Sequence, residues 1–298
     1  MTTITPAQVK ELRELTGAGM MDCKRALAES DGDVEKAKQW LREKGRAIAE
    51  KKASRTASEG LIRARISPDG RTAAIVELNC ETDFVARNEG FGRLVEELMA
   101  HVLDGGAQIA EGDVEGLLNR RSAPEGSTTL RERIGEAIAV LGENIELRRF
   151  VRWTAPDDRS RFDSYIHPPG KLGVLVELRA GRRETLENPA FGELTQDLAM
   201  HVAAAAPDYL SRAEVPAEVI EREKRIYREQ GRNEGKPEKM LDKIAEGKLG
   251  KFYRTSCLLE QDFVKDPEVT IEQWLAKAGQ ALGDPVALRR FERFKVGG

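Results

Sequence analysis

The sequence predicts an α+β protein in which a small helical module precedes a duplicated core of strands and helices, with a helical hairpin inserted in the second copy. Three observations carry this prediction. Apolar residues in the first 45 positions recur at helical spacing. Residues 73–102 return as 173–202 with ten identities in 30 positions, where roughly two would arise by chance. Further along, the offset between the copies changes from 100 to 141, so an insertion of 41 residues lies in the second copy between Val202 and Lys251.

Taken in order, the first helix begins with Thr5 as cap and Pro6 at the first helical position, and carries Val9, Leu12 and Leu15. Gly17 and Gly19 break it. A second helix holds Met20, Met21, Cys23, Ala26 and Leu27, and a Ser30-Asp31-Gly32-Asp33 turn leads to a third with Val34, Ala37, Trp40 and Leu41, which Gly45 is expected to stop. Residues 1–45 thus form the module, and 46–60, rich in Lys, Ala, Ser and Arg, read as a linker. The core halves follow as 61–153 and 154–294, each predicted as strand, turn, strand, helix, variable stretch, helix and closing strand. Leu147-Arg148-Arg149-Phe150 and Leu288-Arg289-Arg290-Phe291 mark the two closing strands. The insertion, about 207–250, is charged, and Pro216 and Pro237 each open a helix, which predicts an antiparallel hairpin.

Composition excludes several function classes. The 48 Lys+Arg and 51 Asp+Glu residues nearly cancel, to a net charge of −3, so there is no global footprint for a phosphate backbone and nucleic-acid binding is disfavoured. Lys51, Lys52 and Arg55, with Arg148-Arg149 and Arg289-Arg290, form local basic runs, but an aromatic content of 5% is thin for base stacking. Three scattered cysteines argue for reduced thiols in a cytoplasmic protein rather than a disulfide framework. Three histidines and no phosphate-cradling glycine loop leave little for an enzyme or a metal site, and no cofactor is expected. No stretch approaches a membrane span.

The repeat also separates building from use. Residues that only build the unit tend to recur in both copies, as Phe91, Leu94, Leu98, His101 and Val102 do, so His101 and His201 read as structural. Residues 80–87, Cys-Glu-Thr-Asp-Phe-Val-Ala-Arg, face the unrelated 180–187, Ala-Gly-Arg-Arg-Glu-Thr-Leu-Glu. In the first copy Thr82 or Asp83 is placed to cap the next helix, and Phe84 to plug the core or to meet a partner. His167 faces Ser67 of the other copy, in a loop at a strand end. Met20 and Met21 are adjacent and cannot both point into one small core.

Two segments then resemble the signatures of the translation elongation factor Ts family: Leu15-Thr16-Gly17-Ala18-Gly19-Met20-Met21-Asp22-Cys23-Lys24-Arg25-Ala26-Leu27, and Glu77-Leu78-Asn79-Cys80-Glu81-Thr82-Asp83-Phe84-Val85-Ala86-Arg87. The resemblance runs over essentially the whole chain. It implies a ubiquitin-associated-like N-terminal domain, a duplicated core and a coiled-coil-like insertion. It also implies a guanine nucleotide exchange factor that binds elongation factor Tu and promotes GDP release without covalent chemistry. By motif, Phe84, supported by Asp83 within Thr82-Asp83-Phe84-Val85, matches the wedge that disturbs the Mg²⁺ and phosphate site of the GTPase. Arg13, Met20, Met21 and Lys24 match the surface that docks on its GTP-binding domain, and His167 matches a core contact. Family members differ in self-association, so a homodimer stays open, and larger apolar residues often stand where this chain has Ile244-Ala245.

Overall fold

The computed structural model describes residues 4–105, 110, 112–123 and 128–298. Three helices come first: α1 (Pro6–Thr16), α2 (Met20–Glu29) and α3 (Val34–Lys52). Thr5 and Gln8 form a reciprocal capping box at the start of α1, and left-handed Gly17 ends it with its N–H on the Arg13 carbonyl. The Asp33 carboxylate caps α3. Val9, Leu12, Cys23, Ala26, Leu27 and Ala37 close a small core between the three.

Two expectations fail in this module. Helix α3 runs through Gly45 to Lys52, so much of the expected linker is helix. Gly45 is buried because α3 crosses α7 there: a Cβ on Gly45 would lie 3.3 Å from the Gly135 carbonyl oxygen. The glycine serves a close helix approach rather than a stop. Leu15 is the second: it is 58% exposed and takes no part in the core.

The rest of the chain gives β1 (Glu59–Ile66), β2 (Thr72–Cys80), α4 (Asp83–Ala86), α5 (Glu89–Asp104), α6 (Val114–Leu118), α7 (Leu130–Leu141) and β3 (Ile145–Thr154). Then come β4 (Ser160–His167), β5 (Leu172–Ala180), α8 (Pro189–Ala205), α9 (Ala217–Asn233), α10 (Leu241–Ser256), β6 (Asp262–Phe263), β7 (Asp266–Thr270), α11 (Ile271–Leu282) and β8 (Val286–Lys295). Two antiparallel three-stranded sheets, β1-β2-β3 and β4-β5-β8, are copies of one another, and β6-β7 form a short hairpin. Even the irregularity repeats, with register shifts at Glu77/Leu78 against β3 and at Glu177/Leu178 against β8.

Strand β2 is buried along both faces, as a strand covered on each side must be. Val76 and Leu78 face α5 and α7 with Phe91, Leu98 and Ile138, and Val176 and Leu178 face α8 and α11 in the same way. Between the sheets lie Ile62, Ile75, Trp153, Phe162, Leu175 and Phe294. The layers therefore run helix, sheet, sheet, helix.

The basic pairs of the closing strands take part in this junction. Arg149 binds buried Glu77 at 2.7 Å, lies 4.3 Å over the Phe294 ring of the other half and donates to the Lys295 carbonyl. Arg290 mirrors it: 2.6 Å to buried Glu177, 4.4 Å over Trp153, and a bond to the Thr154 carbonyl. Each half thus stacks an arginine on the other, while Arg148 and Arg289 are exposed. Helices α9 and α10 pack as a hairpin, opened by Pro216 and by Pro237 with a short 3-10 turn, with Leu241, Ala245 and Leu249 buried along α10. No helix among the described residues is long and apolar enough to cross a membrane.

Candidate functional site

At the end of β2 the chain must turn from a buried strand into α5, and it does so through the one-turn helix α4. Thr82 is its N-cap, with Oγ1 accepting from the Val85 N–H at 3.4 Å. Asp83, at the first helical position, pairs with Arg87 one turn later at 2.8 Å, an exposed contact. Val85 packs against the core below and Ala86 is buried. Phe84 does the opposite. Its ring is 81% exposed, which rules out the core-plug alternative and makes it the most exposed large apolar side chain among the described residues.

The platform beneath Phe84 is held by side chains distant in sequence. The Glu143 carboxylate accepts from the Glu81 and Thr82 N–H groups at 3.0 and 2.9 Å and from the Thr82 hydroxyl at 2.5 Å. Glu81 in turn accepts from the Asn144 N–H at 2.7 Å, and this bond, with the nearby Arg55, holds its carboxyl below the usual range. Cys80 is buried and donates to the Thr82 carbonyl; burial, with the Glu143 charge beside it, pushes its thiol up to about 12. It stays a thiol at neutral pH and is no nucleophile.

His167 ends β4. Its Nδ1 lies 2.9 Å from the Tyr165 hydroxyl, and the ring is exposed. The turn that follows joins the α4 end of the first sheet: Gly170 accepts from the Ile62 N–H at 2.7 Å, and Lys171 pairs with Glu59, which is the register partner of Cys80. His167 and Phe84 thus belong to neighbouring turns at one end of the two sheets.

Arg13, Met20, Met21 and Lys24 are all exposed at the corner between α1 and α2, Met20 to 52% and Met21 to 70%. Leu15, which helical spacing assigned to the core, joins them and makes the corner more apolar. The corner is tied to α3 by the Asp22–Lys44 ion pair, and Lys52, at the end of the same helix, donates to the Gly142 carbonyl beside Glu143. Eight residues of helix separate these two ties, about 12 Å. A cleft of about 260 Å³ lies between this module and α7, lined by Leu15, Leu41, Ile48 and Val140 among others.

The repeated histidines stand apart from this surface. His201 is fully buried, its Nε2 3.0 Å from the Gln261 amide oxygen and its Nδ1 accepting from the Val264 N–H. That pairing requires the neutral Nε2–H tautomer, in keeping with a pKa lowered by burial. His101 meets the Ser122 carbonyl at 3.1 Å. Among the described residues no group of three or more His, Cys, Asp or Glu side chains is arranged to hold a metal ion. The arrangement is one of exposed apolar side chains on held platforms, suited to contact with another protein.

Glu143 was the residue that the sequence left unmarked, whereas Leu15 was placed on the first helix and stands exposed at the corner. The signal for Glu143 was present, since the offset of 141 pairs it with Asp284, a second carboxylate placed directly after a helix-ending glycine.

The profile of a family described as Elongation factor TS matches residues 81–298. Over 294 residues the chain is 45% identical to Elongation factor Ts of Trichlorobacter lovleyi, covering 99% of this chain and 93% of that protein. It is 47% identical to Elongation factor Ts of Clostridium botulinum strain Alaska E43 with the same coverage, and 45% identical to that of Aquifex aeolicus over 99% of this chain and 98% of the relative.

Proposed function

Because the chain belongs to the elongation factor Ts family, we propose that it serves translation elongation in the cytoplasm as a guanine nucleotide exchange factor for elongation factor Tu. It acts by protein binding, without covalent chemistry. The observation that carries this reading is Phe84, an aromatic ring left 81% exposed on a rigid platform. Burying such a side chain is worth about 1.5–3 kcal/mol, so its exposure in the free protein leaves that free energy for a complex.

GDP is held on a translational GTPase through Mg²⁺ and loop amides around its phosphates. A partner that binds better when that arrangement is disturbed must weaken nucleotide binding, and the nucleotide must weaken the partner by the same factor. Phe84 supplies an apolar wedge with few rotamers to lose. Asp83 steadies α4 through Arg87. The α1–α2 corner with Arg13, Met20, Met21 and Lys24 docks on the GTP-binding domain, where adaptable methionines suit a surface that binds and releases. His167, its ring oriented by Tyr165, makes a second contact from the other half.

The test is release of a fluorescent GDP analogue from elongation factor Tu in an excess of unlabelled nucleotide. The full chain is expected to accelerate release in a concentration-dependent, saturable manner. Release at the spontaneous rate at every concentration would refute the reading.

A further inference from the structure

A helix of four residues has no stability of its own, and its local bonds, the 3.4 Å N-cap bond from Val85, the Arg87 N–H on the Asp83 carbonyl and the exposed Asp83–Arg87 pair, do not supply it. What fixes Phe84 is the exchange of carboxylates between two loops. Glu143, after α7, takes two backbone N–H groups and the Thr82 hydroxyl; Glu81, after β2, takes the Asn144 N–H in return. Bonds from backbone N–H to an ionised carboxylate are among the stronger ones available. The same clasp reaches a third element: Asn144 donates through Nδ2 to the Arg55 carbonyl at 2.8 Å, Arg55 lies 3.5 Å from Glu81, and Lys52 donates to the Gly142 carbonyl. The end of α3, which carries the N-terminal module, is therefore bound to the two loops that hold Phe84.

The second half shows which part of this is needed merely to build the fold. Asp284 stands where Glu143 does and accepts from the Arg182 N–H at 2.9 Å and the Thr185 hydroxyl at 2.6 Å. The counterpart of Glu81 is Gly181, which has no carboxylate to return; its N–H goes to the Pro285 carbonyl at 3.0 Å. A one-way clamp suffices to close that copy, and only the copy presenting an exposed aromatic ring has the two-way clasp.

We propose that Glu143, working with Glu81, is a positioning residue for nucleotide exchange: it fixes α4 so that Phe84 is presented at a set place relative to the docking corner of the N-terminal module. This rests on the exchange reading above. A side chain that positions the wedge, rather than docking the protein, acts on the maximal exchange rate more than on the concentration needed to reach half of it.

The experiment compares full-length wild type, Glu143→Ala, Glu143→Gln and Asp284→Ala in release of labelled GDP from elongation factor Tu, with amide hydrogen exchange on each free protein. Glu143→Ala is expected to lower the maximal rate about tenfold while shifting the half-saturating concentration by less than about threefold, and to deprotect the Glu81 and Thr82 amides. Glutamine can still accept from both N–H groups but opposes a donor to the Thr82 hydroxyl, so Glu143→Gln should recover part of the rate. Asp284→Ala should melt earlier yet keep the wild-type maximal rate. A Glu143→Ala protein with the wild-type maximal rate, or equal losses in Glu143→Ala and Asp284→Ala, would overturn the positioning role. Unchanged protection of the Glu81 and Thr82 amides would overturn the clasp itself, independently of exchange. No stimulation by wild type would instead overturn the exchange reading, and the role in exchange with it.

Discussion

The loop after β2 and the loop after β5 occupy the same place in two copies of one unit, and each is clamped by a carboxylate that follows a helix-ending glycine. Their contents diverge above the clamp. In the second copy a short 3-10 turn buries Thr185 on Asp284, lays Leu186 against the core and leaves Glu184 in solvent. In the first, α4 turns Phe84 outward. Copies folded by the same physics keep what the fold needs, and an exposed apolar side chain present in one copy alone is a candidate for use beyond folding. Shared features should therefore fail as stability defects, and Phe84 as a functional defect.

The largest expected effect concerns a shared feature. Glu77→Ala and Glu177→Ala each take the carboxylate from an arginine at the junction of the halves, leaving it only its carbonyl and ring contacts. Breaking a buried pair costs about 3–5 kcal/mol, and because the two arginine side chains are 36% and 37% exposed the lower end is expected, near 3 kcal/mol. Urea unfolding should show similar losses in both variants, and a loss confined to one half would break the comparison. Next comes Gly45→Val, in the part of the chain that has no second copy. A Cβ there would already lie 3.3 Å from the Gly135 carbonyl oxygen and valine adds two methyl groups to it, so overpacking should cost about 1–3 kcal/mol, read as a lower melting temperature.

A smaller effect, on function alone, is expected at the α1–α2 corner. Met21→Ala should raise the half-saturating concentration for exchange about tenfold, the value of a moderate interface contact, with the maximal rate and the melting temperature unchanged. The smallest concerns His201. Its pKa is lowered in the folded state, so the unfolded chain binds the proton more readily and stability falls as the pH drops below about 6.5. His201→Gln should flatten that part of a stability profile measured against pH, leaving the fall due to the carboxylates.

Much of the fold was legible because duplication wrote the same pattern twice. The recurrence at 100 and then 141 located both sheets, the closing strands and the hairpin, and Pro216 and Pro237 marked where its helices open. What escaped were features set by partners distant in the chain. Gly45 reads as a stop until α7 is seen to cross there. Leu15 looked like core beside Val9 and Leu12, yet six residues of helix put it about 120° from Val9, off the buried face. Phe84 stood out as unshared, but its direction depended on Val85 and Ala86 taking the inward side of α4. Glu143 could be suspected only by comparing the residues that follow Gly142 and Gly283, since neither loop alone names its counterpart.

The central claim is that the first copy differs from the second because Phe84 acts on a GTPase. It is tested most directly by Phe84→Ala and Glu184→Ala, assayed side by side for GDP release from elongation factor Tu and for thermal unfolding. Phe84→Ala is expected to lose roughly 30-fold in exchange, the equivalent of about 2 kcal/mol for a central contact residue, while melting with the wild type, and Glu184→Ala to match the wild type in both. Undiminished exchange by Phe84→Ala, or a loss that appears only with early melting, would contradict the account.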